Sequence, residues 1–404
     1  MSAFEGITVV DVSQALAGPL ATMLLGDMGA DVIKIEPPGL GDHARGFAPE
    51  WNGEGCTYLT FNRNKRSVSI NLKKERGQEI ALQLIEKADV FVESFRTGTI
   101  DRLGLSYQRV AEVNPEIIYC SVSAFGRTGP LASRAGYDVI LQAHGGLMNM
   151  TGEVDRPSVR VGYSVVDLFA GIQAYGTIAT ALYQKQQTGR GQFVEASLLE
   201  SIVQMMSYHG TSYLATGRVP SKHGAHHPNI VPSNVFFASD GEFVLAAATP
   251  RIWKATCEVV GRPELAEDPR FSSNPRRVEN RDELNRMLGD IFATRTANEW
   301  VEAFNQAGVP SAKLNDVAEV VNDPQVAARD LFIPIEHPQV PGLRVPGCPL
   351  KLTESPATIR RYPPRLGEHT SEVVGGLGYS QADIESLSRD GVLHQWAPPS
   401  ESGG

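Results

Sequence analysis

Asp167 is the residue of this 404-residue chain best placed for covalent chemistry. It lies in Val161-Gly-Tyr-Ser-Val-Val-Asp-Leu-Phe-Ala-Gly171, at the front of a long apolar stretch that reads as a helix. Local physics leaves two readings open. An aspartate at a helix start is a favoured cap, because its carboxylate accepts backbone N–H bonds. The same position suits a nucleophile. The helix N-terminus stabilises the anion and keeps it ionised, and apolar Val165, Val166, Leu168 and Phe169 leave it poorly hydrated and more reactive. Glycines at 145, 146, 162 and 171 would let a bulky substrate approach the backbone. A second feature is the densest basic group in the chain: Arg63, Lys65, Arg66, Lys73, Lys74 and Arg76. It reads either as solvated surface charge or as a seat for a multiply charged anion.

Other chemistries lack their signatures. The segment between the first strand and helix is Ser13-Gln-Ala-Leu-Ala-Gly-Pro19, with one glycine followed by a proline that donates no N–H. A dinucleotide fingerprint needs G-x-G-x-x-G there, although Glu36 stands where a ribose-binding acid would. The chain contains no GxxxxGK[ST], GxSxG or HExxH. Cys56, Cys120, Cys257 and Cys348 are widely spaced, so neither a zinc site nor a disulfide framework is expected, and reduced thiols point to the cytoplasm. Hydrophobic residues at 42% and charged residues at 21% are ordinary for a folded protein with a substantial core. Lys+Arg 37 against Asp+Glu 46 gives a net charge of −9 with no long basic run, which argues against nucleic acid. No stretch reads as the ~18 apolar residues of a membrane span, and Met1–Gly6 does not resemble a signal peptide.

The elements that must position Asp167 follow from periodicity. Ile7–Val12, a helix from Gly18 to Gly29, and Asp31–Glu36 form a βαβ unit, which implies a parallel sheet. Strands at 67–72, 89–92 and 117–122 alternate with helices at 77–88 and 105–113. That pattern is doubly wound α/β. A helix over Leu168–Gln187 carries Leu168, Ile172, Tyr175, Ala179 and Leu182 as its core-facing stripe. A strand at 193–197 and a helix over Leu198–Tyr213 follow. Residues 226–330 read as a smaller α+β domain, with a hairpin turning at Ser239-Asp240-Gly241 and four helical segments. The larger domain then takes residues 1–214 and 333–404, with linkers at 215–225 and 331–365. The tail after Ala397 is expected to fray.

Several segments resemble one family in order and spacing: Val9-Val-Asp-Val-Ser with Ala17-Gly-Pro19, Gly29-Ala-Asp-Val-Ile-Lys-Ile-Glu36, and Asn62-Arg-Asn-Lys-Arg-Ser67. Gly136-Tyr-Asp138, the Asp167 segment, Asp240-Gly241 and Leu366-Gly-Glu-His-Thr370 complete the set. The chain resembles the class III coenzyme A transferases (CaiB/BaiF type), the family of formyl-CoA and carnitine CoA-transferases, whose relatives include α-methylacyl-CoA racemases. The resemblance implies a Rossmann-like large domain with a smaller inserted domain and an interlocked homodimer. It implies reversible CoA transfer between carboxylic acids, with Asp167 as nucleophile, acyl-CoA thioesters as substrates and no resident cofactor or metal. It raises a CoA-phosphate role for Lys65 and, less so, for Arg66 and Arg102. Gln14 and Ala15 fall in the turn where an open α/β sheet places its ligand. Tyr137, Asp138 and His227 become candidate contacts to the acyl-CoA.

The departures are informative. Racemases carry Gly-His-Asp where this chain has Gly136-Tyr137-Asp138, and a tyrosine of pKa ~10 is a poor base at neutral pH. Transfer is therefore expected over racemisation, with a catalytically silent acyl-CoA binder as the remaining alternative. Formyl-CoA and oxalate transferases have a mid-chain glycine-rich loop where this chain reads Gly224-Ala-His-His-Pro-Asn229, and a glutamine where it has Leu16. Many members also have an arginine in place of Pro37. These differences count against oxalate and formate. Gly41-Asp-His-Ala-Arg-Gly46 instead resembles the succinyl-CoA-dependent members, and Arg45 would pair with the far carboxylate of a dicarboxylic acid.

Overall fold

The computed structural model describes residues 2–396. The tail after Ala397 lies outside the described residues. The chain divides into two compact units. The first comprises residues up to Leu147, Val161–Thr211 and the chain from Ala327 onward; the second comprises Met148–Arg160 and Ser212–Val326. Sequence had assigned 148–160 to the larger domain. The structure groups them with the smaller unit, where Gly224 N donates to Gly152 O (3.0 Å) and Lys222 Nζ to Arg156 O (2.6 Å).

The first unit is built on a seven-stranded sheet. Its strands are β1 (Thr8–Asp11), β2 (Asp31–Glu36), β3 (Lys65–Ile70), β4 (Val90–Glu93), β5 (Ile118–Ser123), β6 (Gln192–Ser197) and β7 (Leu393–His394). Their order is β7-β3-β2-β1-β4-β5-β6, the doubly wound 3-2-1-4-5-6 arrangement with one added edge strand. Every pairing is parallel except that of β7 with β3. Buried valines and isoleucines fill both faces, as a parallel sheet requires. The second unit folds around an antiparallel sheet of Ser233–Phe237, Glu242–Ala246 and Ser311–Lys313, with Phe243, Phe292, Trp300 and Phe304 at its centre. Asp240, from one of the resembling motifs, has a structural duty there: its Oδ1 accepts Ala297 N at 2.7 Å and caps the helix Ala297–Gln306.

Three helices of the first unit matter most for the site: α1 (Ala17–Asp27), α2 (Asp138–His144) and α3 (Val165–Thr188). In α3 the buried residues are Val166, Ala170, Gly171, Ala174, Ile178, Ala181 and Leu182. The expected stripe is therefore displaced. Leu168, Tyr175 and Ala179 are only partly buried, and Ile172 is 44% exposed. The helix is apolar nearly all round, so hydrophobicity could not mark its inner face; small Ala and Gly residues, which permit close packing, do. By length and composition α3 could cross a membrane, a property the sequence reading missed; here its small-residue face lies in the core of the first unit. The single helix expected over Leu198–Tyr213 is two, Leu198–Met205 and Tyr208–Thr216, broken where Ser207 takes φ 51°.

A chain of charges lies wholly inside this unit, beneath the turn that joins β1 to α1. Asp11 Oδ2 accepts Lys65 Nζ (3.1 Å) and Thr22 Oγ1 (2.7 Å), and Asp11 Oδ1 accepts Ser13 N (2.8 Å). Lys65 also donates to Pro19 O (2.9 Å) and Asn62 Oδ1 (3.0 Å), so its three protons are spent. Lys34 donates to Ser13 O (2.8 Å) and pairs with Asp42 (2.8 Å). Asp42 N donates to Glu36 Oε2 (3.0 Å), and Glu36 takes Arg45 Nε at 2.8 Å and Nη2 at 2.9 Å. Burial alone would raise the pKa of Asp11, but Lys65, Lys34 and the Ser13 and Thr22 hydroxyls hold it at about 2. Burial pulls Lys65 down to about 8 against the attraction of Asp11.

Replacing one member strands its partner's charge in a dry interior. Lys65→Met is expected to lower unfolding free energy by about 3–5 kcal/mol, read as a shift in urea midpoint. A Lys65→Ala protein of native stability that has lost CoA affinity would return this lysine to a phosphate-binding role.

Candidate active site

The crevice of a doubly wound sheet opens at the carboxyl ends of the strands where the order reverses, here between β1 and β4. The turn after β1 is held there on both sides. Gln14 N donates to Ser94 Oγ (3.0 Å), just beyond β4, and Ala15 N donates to Asp42 Oδ1 (3.0 Å). Ala15 takes φ 69°, a left-handed conformation costly for a residue with a Cβ. The charges beneath the turn hold it in place.

α3 approaches the start of α1 almost backbone to backbone. A Cβ placed on Gly171 would sit 2.8 Å from Ala17 O and 2.8 Å from Leu20 Cδ2. The two helices run the same way, since Tyr175, a turn after Gly171, meets Phe4 (ring centroids 6.2 Å apart), whose N donates to Met28 O at the far end of α1; Asp167, a turn before Gly171, therefore lies toward the turn that carries Gln14 and Ala15. Gly171 thus serves helix packing, not substrate approach. Gly145 does likewise, its Cβ position falling 2.4 Å from Ile202 side-chain atoms.

Asp167 does not cap its own helix. It is the third residue of α3. The capping carboxylate comes from α2: Val166 N donates to Asp138 Oδ2 at 2.8 Å and Asp167 N donates to the same oxygen at 3.2 Å. Among the described residues, no hydrogen bond to the Asp167 carboxylate is found. Burial first, and the Asp138 charge second, push Asp167 up to about 7. The expectation that the helix N-terminus would keep Asp167 ionised is corrected here. Two of the first-turn N–H groups are engaged by Asp138, and desolvation outweighs what remains of the helix field. The result is a half-buried carboxylate titrating near neutrality, as functional sites often contain.

The other candidates separate into groups. Tyr137, the residue before α2, is 77% exposed and adjoins Asp138. Asp138 itself is buried, and its oxygens are taken by Val166 N, Asp167 N and Gln142 Nε2, so it holds the site's backbone and does not present a free group to a ligand. Arg45 is corrected for the same reason. Its guanidinium is divided among Glu36, Tyr58 OH (2.6 Å), Pro364 O (3.0 Å) and Glu54 (3.4 Å), so each of its nitrogens is already engaged within the protein. Lys65 is fully buried and fully bonded. Arg66, near the amino end of β3, pairs with Asp31 and Glu372 (3.0 Å), at the end of the sheet away from the crevice. Arg63 is buried on Asp27 (2.6 Å). The basic run of the sequence is thus dispersed by strand alternation and by acids distant in the chain. Arg102 remains exposed on a short helix after β4, its guanidinium donating to Thr99 Oγ1 (3.0 Å). His227 belongs to the second unit, where its Nδ1 accepts Asn229 N (3.1 Å) and its backbone N donates to Ser233 O (2.9 Å).

Sequence reasoning passed over Ser94, Asp42, Lys34 and Gln142. Gln142 offered one signal: it stands four residues after Asp138, a spacing that brings helical side chains together.

Comparison with known proteins agrees with this geometry. The family model described as CoA-transferase family III matches residues 4–370. The succinyl-CoA:glutarate CoA-transferase of Homo sapiens is 38% identical over 97% of this chain and 90% of its own. The acetyl-CoA:oxalate CoA-transferase of Acetobacter aceti is 42% identical over 87% of this chain and 89% of its own. A crystal structure of a CaiB/BaiF family protein from Brucella suis superposes with a TM-score of 0.85 at 34% identity, covering 93% of this chain and 99% of that one. The sheet order, the crevice and the match across nearly the whole chain lead to one conclusion: this protein belongs to CoA-transferase family III, a family of CoA-transferring enzymes.

Proposed function

We propose that the chain transfers CoA reversibly from succinyl-CoA to a dicarboxylic acid, with Asp167 as the covalent nucleophile. The observation that carries this reading is the Asp167 carboxylate: half-buried, beside the crevice, relieved of capping by Asp138 and raised to about 7. An ordinary carboxylate is a weak nucleophile; one of higher basicity is stronger and remains substantially ionised near neutral pH.

The steps balance without a redox partner. The Asp167 carboxylate attacks the thioester carbonyl and expels CoA thiolate, leaving a mixed anhydride. The thiolate attacks the aspartyl carbonyl of the anhydride, releases the donor acid and leaves an aspartyl-CoA thioester. The acceptor carboxylate then attacks that thioester, forming a second anhydride and freeing the thiolate. Attack of the thiolate on the acceptor carbonyl yields the new acyl-CoA and regenerates Asp167. Each acylation also removes a negative charge from beside Asp138, which favours the covalent states.

Two relatives carry succinyl-CoA and glutarate in their names, and others pair succinyl-CoA with mesaconate or D-citramalate in theirs. That supports succinyl-CoA as donor and a dicarboxylate as acceptor. Oxalate belongs in the acceptor panel despite the missing glycine run and Leu16, because the oxalate-named relative is 42% identical. Tyr137, Tyr163, Phe169 and Ile172, on and beside α2 and α3, are large side chains left exposed, which supports a homodimer, interlocked as the family resemblance implies, with the smaller unit as its inserted domain. Four free thiols support a cytoplasmic setting.

Incubation with succinyl-CoA followed by hydroxylamine is expected to leave a hydroxamate on the peptide containing Asp167, and none in Asp167→Ala. Absence of the adduct across a panel of acyl-CoAs, with deuterium exchange at the acyl α-carbon, would favour a racemase; absence of both would favour a silent binder. The rate of adduct formation at low acyl-CoA concentration should rise with pH through about 7 as the free carboxylate ionises. The folded-state pKa lies above the ordinary aspartate value of about 3.9, so the native state holds this proton more tightly than the unfolded chain. Stability therefore falls as pH rises toward about 7. Asp167→Asn removes that fall and should gain about 1–2 kcal/mol on wild type between pH 5.5 and 8, read from denaturant midpoints.

A further inference from the structure

The segment that enters α3 is fastened by a residue that neither sequence nor resemblance singled out. Gln142 is fully buried on α2. Its Oε1 accepts Val161 N at 2.9 Å, and its Nε2 donates to Tyr163 O at 3.4 Å and to Asp138 Oδ1 at 2.5 Å. The other oxygen of Asp138 accepts Val166 N and Asp167 N. One glutamine and one aspartate, a turn apart on α2, therefore pin the backbone at residues 161, 163, 166 and 167.

Both groups are buried, and every bond is directed at main chain or at the partner side chain. Four of these bonds fall on seven consecutive residues and fix the approach, the first turn and the N–H of Asp167, whose carboxylate accepts no hydrogen bond among the described residues. We propose that Gln142 and Asp138 are positioning residues for the reaction of Asp167: they set the backbone that aims its carboxylate and touch neither acyl group nor CoA. This rests on Asp167 as nucleophile. A misplacement of about 1 Å at a reacting atom costs about 100-fold in rate, so loss of the frame should appear in chemistry more than in binding.

The test compares Gln142→Met, which keeps the volume and removes the bonds, Asp138→Ala, and Asp138→Asn, which keeps one acceptor oxygen for the two helix N–H groups. The readouts on the full-length protein are the single-turnover rate of Asp167 hydroxamate formation from succinyl-CoA, normalised to folded protein, and the Kd for CoA. Gln142→Met and Asp138→Ala should slow acylation about 10- to 100-fold while CoA affinity stays within about twofold. Asp138→Asn keeps an acceptor for the helix N–H groups but turns an amide N–H toward Gln142 Nε2, so its acylation rate should fall between those of Asp138→Ala and wild type. Wild-type acylation rates in Gln142→Met would overturn the proposal, as would a loss confined to CoA affinity, which would make these substrate contacts. Equal loss in Asp138→Asn and Asp138→Ala would overturn the geometric role and assign the effect to charge. Should Asp138→Ala fail to fold, Gln142→Met decides. No hydroxamate in wild type is a different failure: it removes the nucleophile, and this inference with it.

Discussion

Three acids and three bases, Asp11, Glu36 and Asp42 with Lys34, Arg45 and Lys65, are shut inside the first unit beneath the β1–α1 turn, and the site depends on their mutual satisfaction. Taking ions out of water costs several kcal/mol each, returned only when geometry and hydrogen bonding are nearly complete. Here the bonds that complete the set run to the turn itself: Lys34 to Ser13 O, Asp42 to Ala15 N and Lys65 to Pro19 O. The turn cannot relax without stranding charge. That is why an alanine with φ 69° persists at the switch point of the sheet.

The second constraint is the crossing of α1 and α3. Glycine at 171 admits Ala17 O where any larger residue would press on backbone. The crossing brings the helix that carries Asp167 to the β1 turn, while α2 supplies the carboxylate that caps it. The capping duty and the reactive group thus belong to different aspartates. In most helices one first-turn acid would do both, and its carboxylate would be occupied by N–H groups, its pKa lowered and its nucleophilicity reduced.

What could be read from the sequence follows from what is local. The parallel strands and crossover helices were legible because alternating apolar runs and turn residues are properties of neighbouring positions, and Asp31–Glu36 spans the same residues in both readings. Ser67–Leu72 was displaced by two residues because Lys65 and Arg66 read as polar punctuation, although their charges are neutralised by Asp11 and Asp31 more than thirty positions away. The same blindness made the basic run look like a phosphate seat. Arg45 failed alike: Glu36 and Tyr58 lie near in sequence, but nothing local shows that they enclose its guanidinium. Asp167 was recognisable by position and resemblance. Its titration near neutrality was not, because that depends on which aspartate takes the helix N–H groups.

The arrangement carries a cost that explains its form. A carboxylate raised to about 7 makes the protein less stable near neutral pH than one with an ordinary aspartate there. Asp138, only part of whose charge is balanced by N–H dipoles, adds to that cost while supplying the cap. A neutral cap would offer the helix N–H groups an acceptor without the negative charge, and Asp167 would then titrate lower. The pair is therefore a compromise: one aspartate takes the helix N–H groups, so that among the described residues the carboxylate of the other accepts no hydrogen bond, and burial together with its neighbour's charge holds that carboxyl near neutrality.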